Sequence, residues 1–391
     1  MLEMIGWVLL VLPVAIALYV FVIYPAIVYV WSRFRSPDEF SADPAEWPEL
    51  TILIVAYNEE RRIGETLRKA LAVDYPHDKL SVLVFSDAST DRTDDIVRGI
   101  GDPRVTLHRV ETRQGKAHGE NESAQFVRGE IVVSIDASII IPPPSLKALV
   151  RAFNDPEVGL ASGRDLSVGD EAREGTQAES SYVDLEMRLR AAETRVHSIV
   201  GASGCFYGTR RQLHETRLPD VISRDFAAAS VARAAGFRAV SVDAATCLVP
   251  RTKTLRVEQR RKTRTMARGL DTLFYFKQMM NPLRYGSFAF MMISHKLMRW
   301  LLFPSLLGWL VGPLLVMRSA PWALLLSLGM IVGLVVARLV IIWPDDRRLP
   351  RIIALPGYVF ISIVAGWMAW LHLLRNEKSA MWEPTQRPVS A

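Results

Sequence analysis

Glu130-Ile131-Val132-Val133-Ser134-Ile135-Asp136-Ala137-Ser138 decides how this chain folds. It is a run of β-formers that ends in one acid, followed by the stop Pro142-Pro143-Pro144. A short apolar run bounded by turn residues is a buried strand. In an open α/β sheet, ligands bind just beyond the carboxyl ends of the strands, so Asp136 stands where a metal or a phosphate is handled. The same window also suits an ordinary strand followed by an Asp turn. The neighbouring strands separate the two readings.

Working outward, Leu50 to Tyr57 is nearly continuous apolar sequence, as expected in a parallel sheet. Asn58-Glu59-Glu60 follows and opens a helix from Arg62 to Ala72. Leu80 to Phe85 is a second strand and ends in Ser86-Asp87-Ala88-Ser89-Thr90-Asp91. Asp91 or Thr90 caps the helix that runs to Ile100. Arg104 to Arg109 is a short third strand, and Gly115 to Arg128 is a helix leading into the opening stretch. Strands and helices alternating at this spacing give a doubly wound α/β layer. No Gly-x-Gly-x-x-Gly is present, so a standard dinucleotide fold is unsupported. Three successive strands end in short polar residues: Tyr57-Asn58-Glu59, Ser86-Asp87-Ala88-Ser89 and Asp136-Ala137-Ser138. Such residues grip a base and ribose by hydrogen bonds, and Arg113 and Lys116 between them can meet phosphate charge.

The 391 residues suffice for one large or two modest domains. Half are hydrophobic, and net charge is +6. Mean hydropathy is +0.16 and the pI is near 9.4. The positive balance suits anionic lipid or anionic substrates. No basic stripe interleaves with aromatics, so nucleic acid is not an expected partner. Cys205 and Cys247 lack metal-ligand spacing, and neither a disulfide framework nor a zinc site is expected.

The apolar residues concentrate at the ends. Met4 to Trp31 has no charge and is long enough to cross a bilayer. Pro13 and Pro25 are expected to kink it, which a membrane tolerates. Arg33 and Arg35 follow it, so the positive-inside rule puts the next segment in the cytoplasm. Three further spans are expected at Trp300 to Met317, Trp322 to Trp343 and Ile352 to Leu374. Arg347, Arg348 and Arg351 mark the loop before the last as cytoplasmic, which leaves the tail around Trp382 outside. Leu273 to Ile293 is broken by Lys277, Pro282 and Arg284 and reads as an amphipathic segment on the membrane surface. Gln177 to Ile199 is a charged helix whose stripe Tyr182, Leu185, Leu189 and Val196 packs against the sheet.

With these residues in view, the chain resembles the membrane-integrated family 2 glycosyltransferases of bacterial exopolysaccharide and N-acetylglucosaminyltransferase type. Those enzymes carry a GT-A nucleotide-sugar domain, a Rossmann-like mixed sheet. The resemblance is carried by Val55-Ala56-Tyr57-Asn58-Glu59-Glu60, Asp74-Tyr75-Pro76, Ser86 to Thr93, Arg113-Gln114-Gly115-Lys116, Asp136-Ala137-Ser138, Gly201-Ala202-Ser203-Gly204, Arg224-Asp225-Phe226 and Arg261-Lys262-Thr263-Arg264. It implies a GT-A domain at residues 46–250 between a transmembrane anchor (1–35), basic and amphipathic interfacial helices (251–298) and a transmembrane bundle with a tail (299–391).

The resemblance also implies roles. Ala56, Tyr57, Glu59 and Asp87 hold the uracil and ribose of a UDP-sugar, and Asn58 and Ser89 belong to the same nucleotide-sugar site. Arg113, Lys116, Arg261 and Arg264 meet the diphosphate. Asp136 binds Mg2+ or Mn2+, with Ser138 where the family commonly has a second acid. Gly201, Ala202, Ser203 and Gly204 line the acceptor side, where glycines allow close approach. Asp225 is the base that takes the acceptor's proton, and Arg224 stands where relatives often carry an acid. The family's Gln-x-x-Arg-Trp has no Trp in the helix Arg256 to Arg268. The implied activity is inverting transfer to a saccharide or lipid-linked acceptor, with the catalytic domain in the cytoplasm of a bacterial inner membrane, among membrane lipids. Two alternatives stand beside it: single transfer to a polyprenyl phosphate or other lipid, and a catalytically silent partner of a polysaccharide assembly complex.

Overall fold

The computed structural model describes residues 1–36, 40–168, 174–250, 255–343 and 351–377. The described residues fall into two compact units, one within residues 32–169 and 183–251, the other within 1–31, 170–182 and 252–378.

The first unit is a seven-stranded mixed sheet with helices against it. Its strands are β1 (Leu50–Ala56), β2 (Leu80–Ser86), β3 (Val105–Arg109), β4 (Ile131–Asp136), β5 (Val158–Val168), β6 (Phe206–Arg210) and β7 (Arg238–Pro250), in the order β3-β2-β1-β4-β6-β5-β7. β1 runs parallel to both β2 and β4, and β2 parallel to β3. β6 is antiparallel to β4 and β5, and β5 is parallel to β7. Every residue of β1 is buried, which explains its uninterrupted apolar sequence. Gly119 lets its helix lie on the sheet: a Cβ there would stand 2.8 Å from Val55 Cγ1.

Register places the site. Ala56 pairs with Ser86, and Val55 with Asp136, so the carboxyl ends of β1, β2 and β4 finish side by side. β6 arrives from the opposite direction, with Phe206 beside Ile135, and brings the turn before it to the same edge.

The expected elements hold with local revisions. The expected Gly115 to Arg128 helix is a shorter one, Lys116–Glu122, followed by a 3-10 turn at Ser123–Gln125. There Ser123 Oγ bonds back to the Glu120 carbonyl, the competition that makes serine a poor helix interior. Neither Asp91 nor Thr90 takes the cap position of the Thr93–Arg98 helix, which is Arg92; Asp91, just before it, accepts from the Thr93 amide at 2.9 Å. Asp225 lies inside the first turn of the helix Arg224–Ala234 rather than ahead of it, because extended Ser223 takes the cap position. In the stripe of the Glu174–Val196 helix, Leu189 and Val196 are buried but Leu185 is 43% exposed.

In the second unit, Leu2–Ser32 and Pro321–Ile342 are long and apolar enough to cross a membrane. The first holds a π-helical stretch, Tyr19–Ile23, immediately before the Tyr24–Ser32 segment that carries Pro25. Proline has no N–H to continue the ladder, which accounts for the misfit there. The span expected at Trp300 to Met317 is not one straight helix. Pro282–Ser305 and Gly308–Val316 meet at a 53° bend, with Pro304 inside the turn before the break. The expected surface segment Leu273 to Ile293 divides between three elements: the end of Leu255–Tyr275, a 3-10 turn at Lys277–Met280, and the start of the helix at Pro282. Asn281 caps that helix through the Leu283 amide, with Pro282 at its first position. Of the last expected span, Arg351–Leu374 is helical and Val359–Leu374 is its apolar part. Arg347, Arg348 and the Trp382 tail lie outside the described residues.

Candidate active site

The first two strand ends are stitched to each other. Asn58 and Ala88 both adopt left-handed backbone, at φ 53° and 56°, a region asparagine enters more readily than most residues. Asn58 Oδ1 accepts from the Thr90 amide at 2.8 Å, its Nδ2 donates to Thr90 Oγ1 at 3.1 Å, and its amide donates to Ser89 Oγ at 3.2 Å. Glu59 is buried, and its amide donates to Thr93 Oγ1 at 2.8 Å. Ala56 is buried beneath them, and its carbonyl accepts from the Asp87 amide at 2.9 Å.

Asp87 has no exposed surface. Its two oxygens accept from the Gln114 and Gly115 amides, each at 2.8 Å. This shapes the loop that carries Arg113 and Lys116. Gly115 sits at φ 99°, a conformation that favours glycine, and its amide faces the carboxylate. Arg113 lies over the Tyr57 ring with its guanidinium carbon 3.8 Å from the centroid, a cation–π contact.

Lys116 donates from Nζ to Asp136 Oδ1 at 2.6 Å. Burial pulls this ammonium down, but Asp136 and Glu120 outweigh it and hold the group well above the ordinary lysine range. Cys205 faces the other oxygen, with Sγ 3.7 Å from Asp136 Oδ2, and its carbonyl accepts from the Asp136 amide at 3.3 Å. Ser138 is buried two residues on. Among the described residues, no group of three or more His, Cys, Asp or Glu side chains is arranged to hold a metal ion. One carboxylate with a neighbouring hydroxyl fits Mg2+ or Mn2+, which take oxygen ligands and fill their remaining positions with phosphate and water.

Asp225 lies against the turn that precedes Cys205. Its Oδ1 accepts from Ser223 Oγ at 2.5 Å, and its backbone carbonyl accepts from the Ala202 amide at 3.1 Å. A Cβ on Gly204 would stand 2.7 Å from Asp225 Oδ2, and one on Gly201 would stand 3.0 Å from Phe226. The turn Gly201 to Gly204 therefore needs small residues to approach this carboxylate. Ser203 is tied down, its amide to Ser162 Oγ at 2.8 Å and its hydroxyl to Asp165 Oδ1 at 2.5 Å.

Arg224 does not serve as the charged neighbour of Asp225 that its place in sequence suggests. It is buried, and its guanidinium donates to Asn121 Oδ1 at 2.6 Å, to the Thr216 carbonyl at 3.2 Å and to the His214 carbonyl.

The structure thus brings Ala56, Tyr57, Asn58, Glu59, Asp87, Ser89, Arg113, Lys116, Asp136, Ser138, the Gly201 to Gly204 turn and Asp225 into one unit. Arg261 and Arg264 lie on the helix Leu255–Tyr275 of the other unit. Sequence reasoning missed Asp165. Burial pushes its carboxyl up, against the Ser203 hydrogen bond and the charge of Arg190. It also missed Asn121, Tyr207 and His214. None sits at a strand end, which was the signal in use.

Comparison with known proteins agrees with this fold. Residues 48–267 match the family described as glycosyltransferase-like family 2. The chain is 27% identical over 149 residues to the beta-monoglucosyldiacylglycerol synthase of Synechocystis sp., covering 37% of this chain and 31% of that one. It is 24% identical over 178 residues to the poly-beta-1,6-N-acetyl-D-glucosamine synthase of Staphylococcus aureus, covering 45% and 42% respectively. The match thus spans less than half of either relative. A mannosyltransferase from Pyrobaculum calidifontis, solved with GDP-Man and Mn2+, superposes with a TM-score of 0.71 at 23% identity, over 97% of this chain and all of that one. That likeness shows a shared fold.

Proposed function

This chain belongs to glycosyltransferase-like family 2, and from that premise we propose that it moves a sugar from a UDP-sugar to a hydroxyl of a saccharide or lipid-linked acceptor, with inversion. The observation that carries the proposal is the shared edge. Strand register ends β1, β2 and β4 along one edge, with Tyr57 and Asp87 just past the first two and Asp136 closing the third, and the turn before β6 packs against Asp225.

In this mechanism the base of the donor lies near Tyr57 and Arg113. Lys116 and Arg113 meet the diphosphate charge. Asp87 keeps the Arg113 to Lys116 loop in shape. Asp136, with Ser138, would hold Mg2+ or Mn2+, which when bound neutralises charge on the departing UDP. The acceptor approaches over the Gly201 to Gly204 turn. Asp225 takes the proton of its hydroxyl while that oxygen bonds to C1 of the sugar and the bond from C1 to the diphosphate breaks.

The two relatives named above make a glycolipid and a polysaccharide, which supports a role in one of these syntheses. The apolar helices support an integral membrane protein. On this reading residues 46–250 are the catalytic domain on the cytoplasmic side of a bacterial inner membrane, residues 1–35 and 299–391 the membrane-embedded parts, and 251–298 the interfacial helices.

The test is nucleotide release by the purified full chain against a panel of UDP- and GDP-sugars, each with Mg2+ and with Mn2+. Release of UDP from at least one donor is expected. No release from any donor would sink the enzymatic reading, and release from GDP-sugars alone would replace the proposed nucleotide.

A further inference from the structure

Arg224 and Asp225 are adjacent in sequence yet do different work. Arg224 is buried, and a buried guanidinium persists only where its donors are met. Here they are met by the Asn121 side chain and by the carbonyls of His214 and Thr216, in the segment that leads up to Ser223. Asn121 is itself saturated. Its Oδ1 accepts from Arg224 and from the Leu218 amide at 3.1 Å, and its Nδ2 donates to the Leu218 carbonyl at 2.7 Å and to Asp220 Oδ1 at 2.9 Å. That is every hydrogen bond a carboxamide can make. The other Asp220 oxygen meets His118 Nδ1 at 3.2 Å.

These contacts join two short elements. Asn121 and His118 belong to the helix Lys116–Glu122, whose first residue is the lysine on Asp136. Arg224 opens the helix that presents Asp225 in its first turn. Tyr207 is buried between them, where Glu120, Arg224 and Lys116 all act on its hydroxyl. The Asp225 carboxylate is held directly by the Ser223 hydroxyl. Its aim therefore depends on where the backbone of Ser223 to Asp225 is fixed, and Arg224 holds it from one side while the Ala202 amide holds the Asp225 carbonyl from the other.

We infer that Arg224, clamped by Asn121, is a positioning residue for the transfer step: it registers Asp225 against the Lys116–Asp136 pair. The inference rests on the reading of Asp225 as the base. It also gives the chain's departure from the acid common at this position a physical purpose.

The experiment compares wild type, Arg224→Lys, Asn121→Ala and the double variant as full-length protein. It measures kcat, donor KM, UDP affinity by calorimetry and the thermal midpoint. Arg224→Lys keeps the charge but cannot reach all three acceptors. It should lower kcat roughly 10- to 100-fold, the scale of a misplaced catalytic group. UDP affinity should stay within about threefold, because the donor site is not what moves. Asn121→Ala should do the same, and the double variant should lose no more than the worse single, as expected for one coupled unit. Unchanged kcat, UDP affinity falling in step with kcat, or losses that multiply would each overturn the inference. If Arg224→Lys does not fold, Asn121→Ala is judged by the same kcat and affinity criteria. A wild type that turns over no nucleotide-sugar overturns the reading of the site and this inference with it, whereas active wild type with unaffected variants overturns the inference alone.

Discussion

The donor edge and the base helix hold their carboxylates in opposite ways. At the donor edge, Asp87 gives both oxygens to backbone amides and is fully enclosed, and Asp136 is ion-paired with Lys116. At the base helix, Asp225 accepts from one hydroxyl on Oδ1, and its Oδ2 lies close over Gly204. A carboxylate whose two oxygens are both taken by backbone amides anchors a loop. One held by a single hydroxyl beside a small-residue turn keeps an oxygen that no amide takes, as the proposed base requires. Acids that look alike in sequence are sorted by where their oxygens are engaged.

The largest effect that could break this contrast comes from Asp225→Asn. Removing the proton acceptor should lower kcat by about 10²- to 10⁴-fold, with UDP affinity retained. Transfer that survives in this variant moves the base elsewhere. Next is Asp136→Ala, expected to abolish the metal-dependent part of UDP binding in calorimetry. Normal UDP binding, with its metal dependence intact, would return Asp136 to an ordinary strand-end turn. Gly204→Ala sharpens the contrast from the other side. Its Cβ would stand 2.7 Å from Asp225 Oδ2, so kcat should fall about tenfold through misplacement while UDP affinity holds. An unaffected rate would show that the close approach of Gly204 to Asp225 does not position the base.

The smallest effect is on stability. Burial, then the Arg224 charge, takes His214 down to about 3. Burial, with Arg233, Arg238 and Arg35, takes His197 to about 4. Both are neutral in the folded protein and near 6.5 when unfolded, so the unfolded state binds more protons in between. Their contribution is complete above about pH 6.5 and is lost as pH falls toward 4 and then 3, by at most about 1.4 kcal/mol per pH unit for each histidine. Urea midpoints measured down this range should decline less steeply in His214→Gln than in wild type. Parallel profiles would show that His214 is not held neutral.

Much of the donor edge was legible because parallel strands buried on both faces are written as unbroken apolar runs. β1, β2 and β4 announce themselves, and so do their polar ends. The other half of the sheet does not. β5 contains Gly159, Gly163, Arg164 and Asp165, and β7 contains Arg238 and Asp243. Gly163 is there because a Cβ would meet Phe206 at 2.4 Å, a cross-strand fact invisible along the chain. Arg224 could be noticed as a departure, but its partner is Asn121, far away in sequence. Asp165 is likewise defined by Ser203 and Cys247, on other parts of the fold. The helix break at Ser305 was visible in hindsight as Pro304 and Gly308, yet the apolar run around it outweighed both residues.

The pairing of Val55 with Asp136 means that the site is stored as a count. Side chains on a strand alternate between faces with period two. Odd and even offsets of β4 against β1 are therefore different molecules: an odd slip presents Ile135 or Ala137 where the carboxylate belongs, while an even slip keeps the face and moves the charge along the edge. The full register along six residues of β4, more than the identity of any one of them, keeps Asp136 within reach of Lys116.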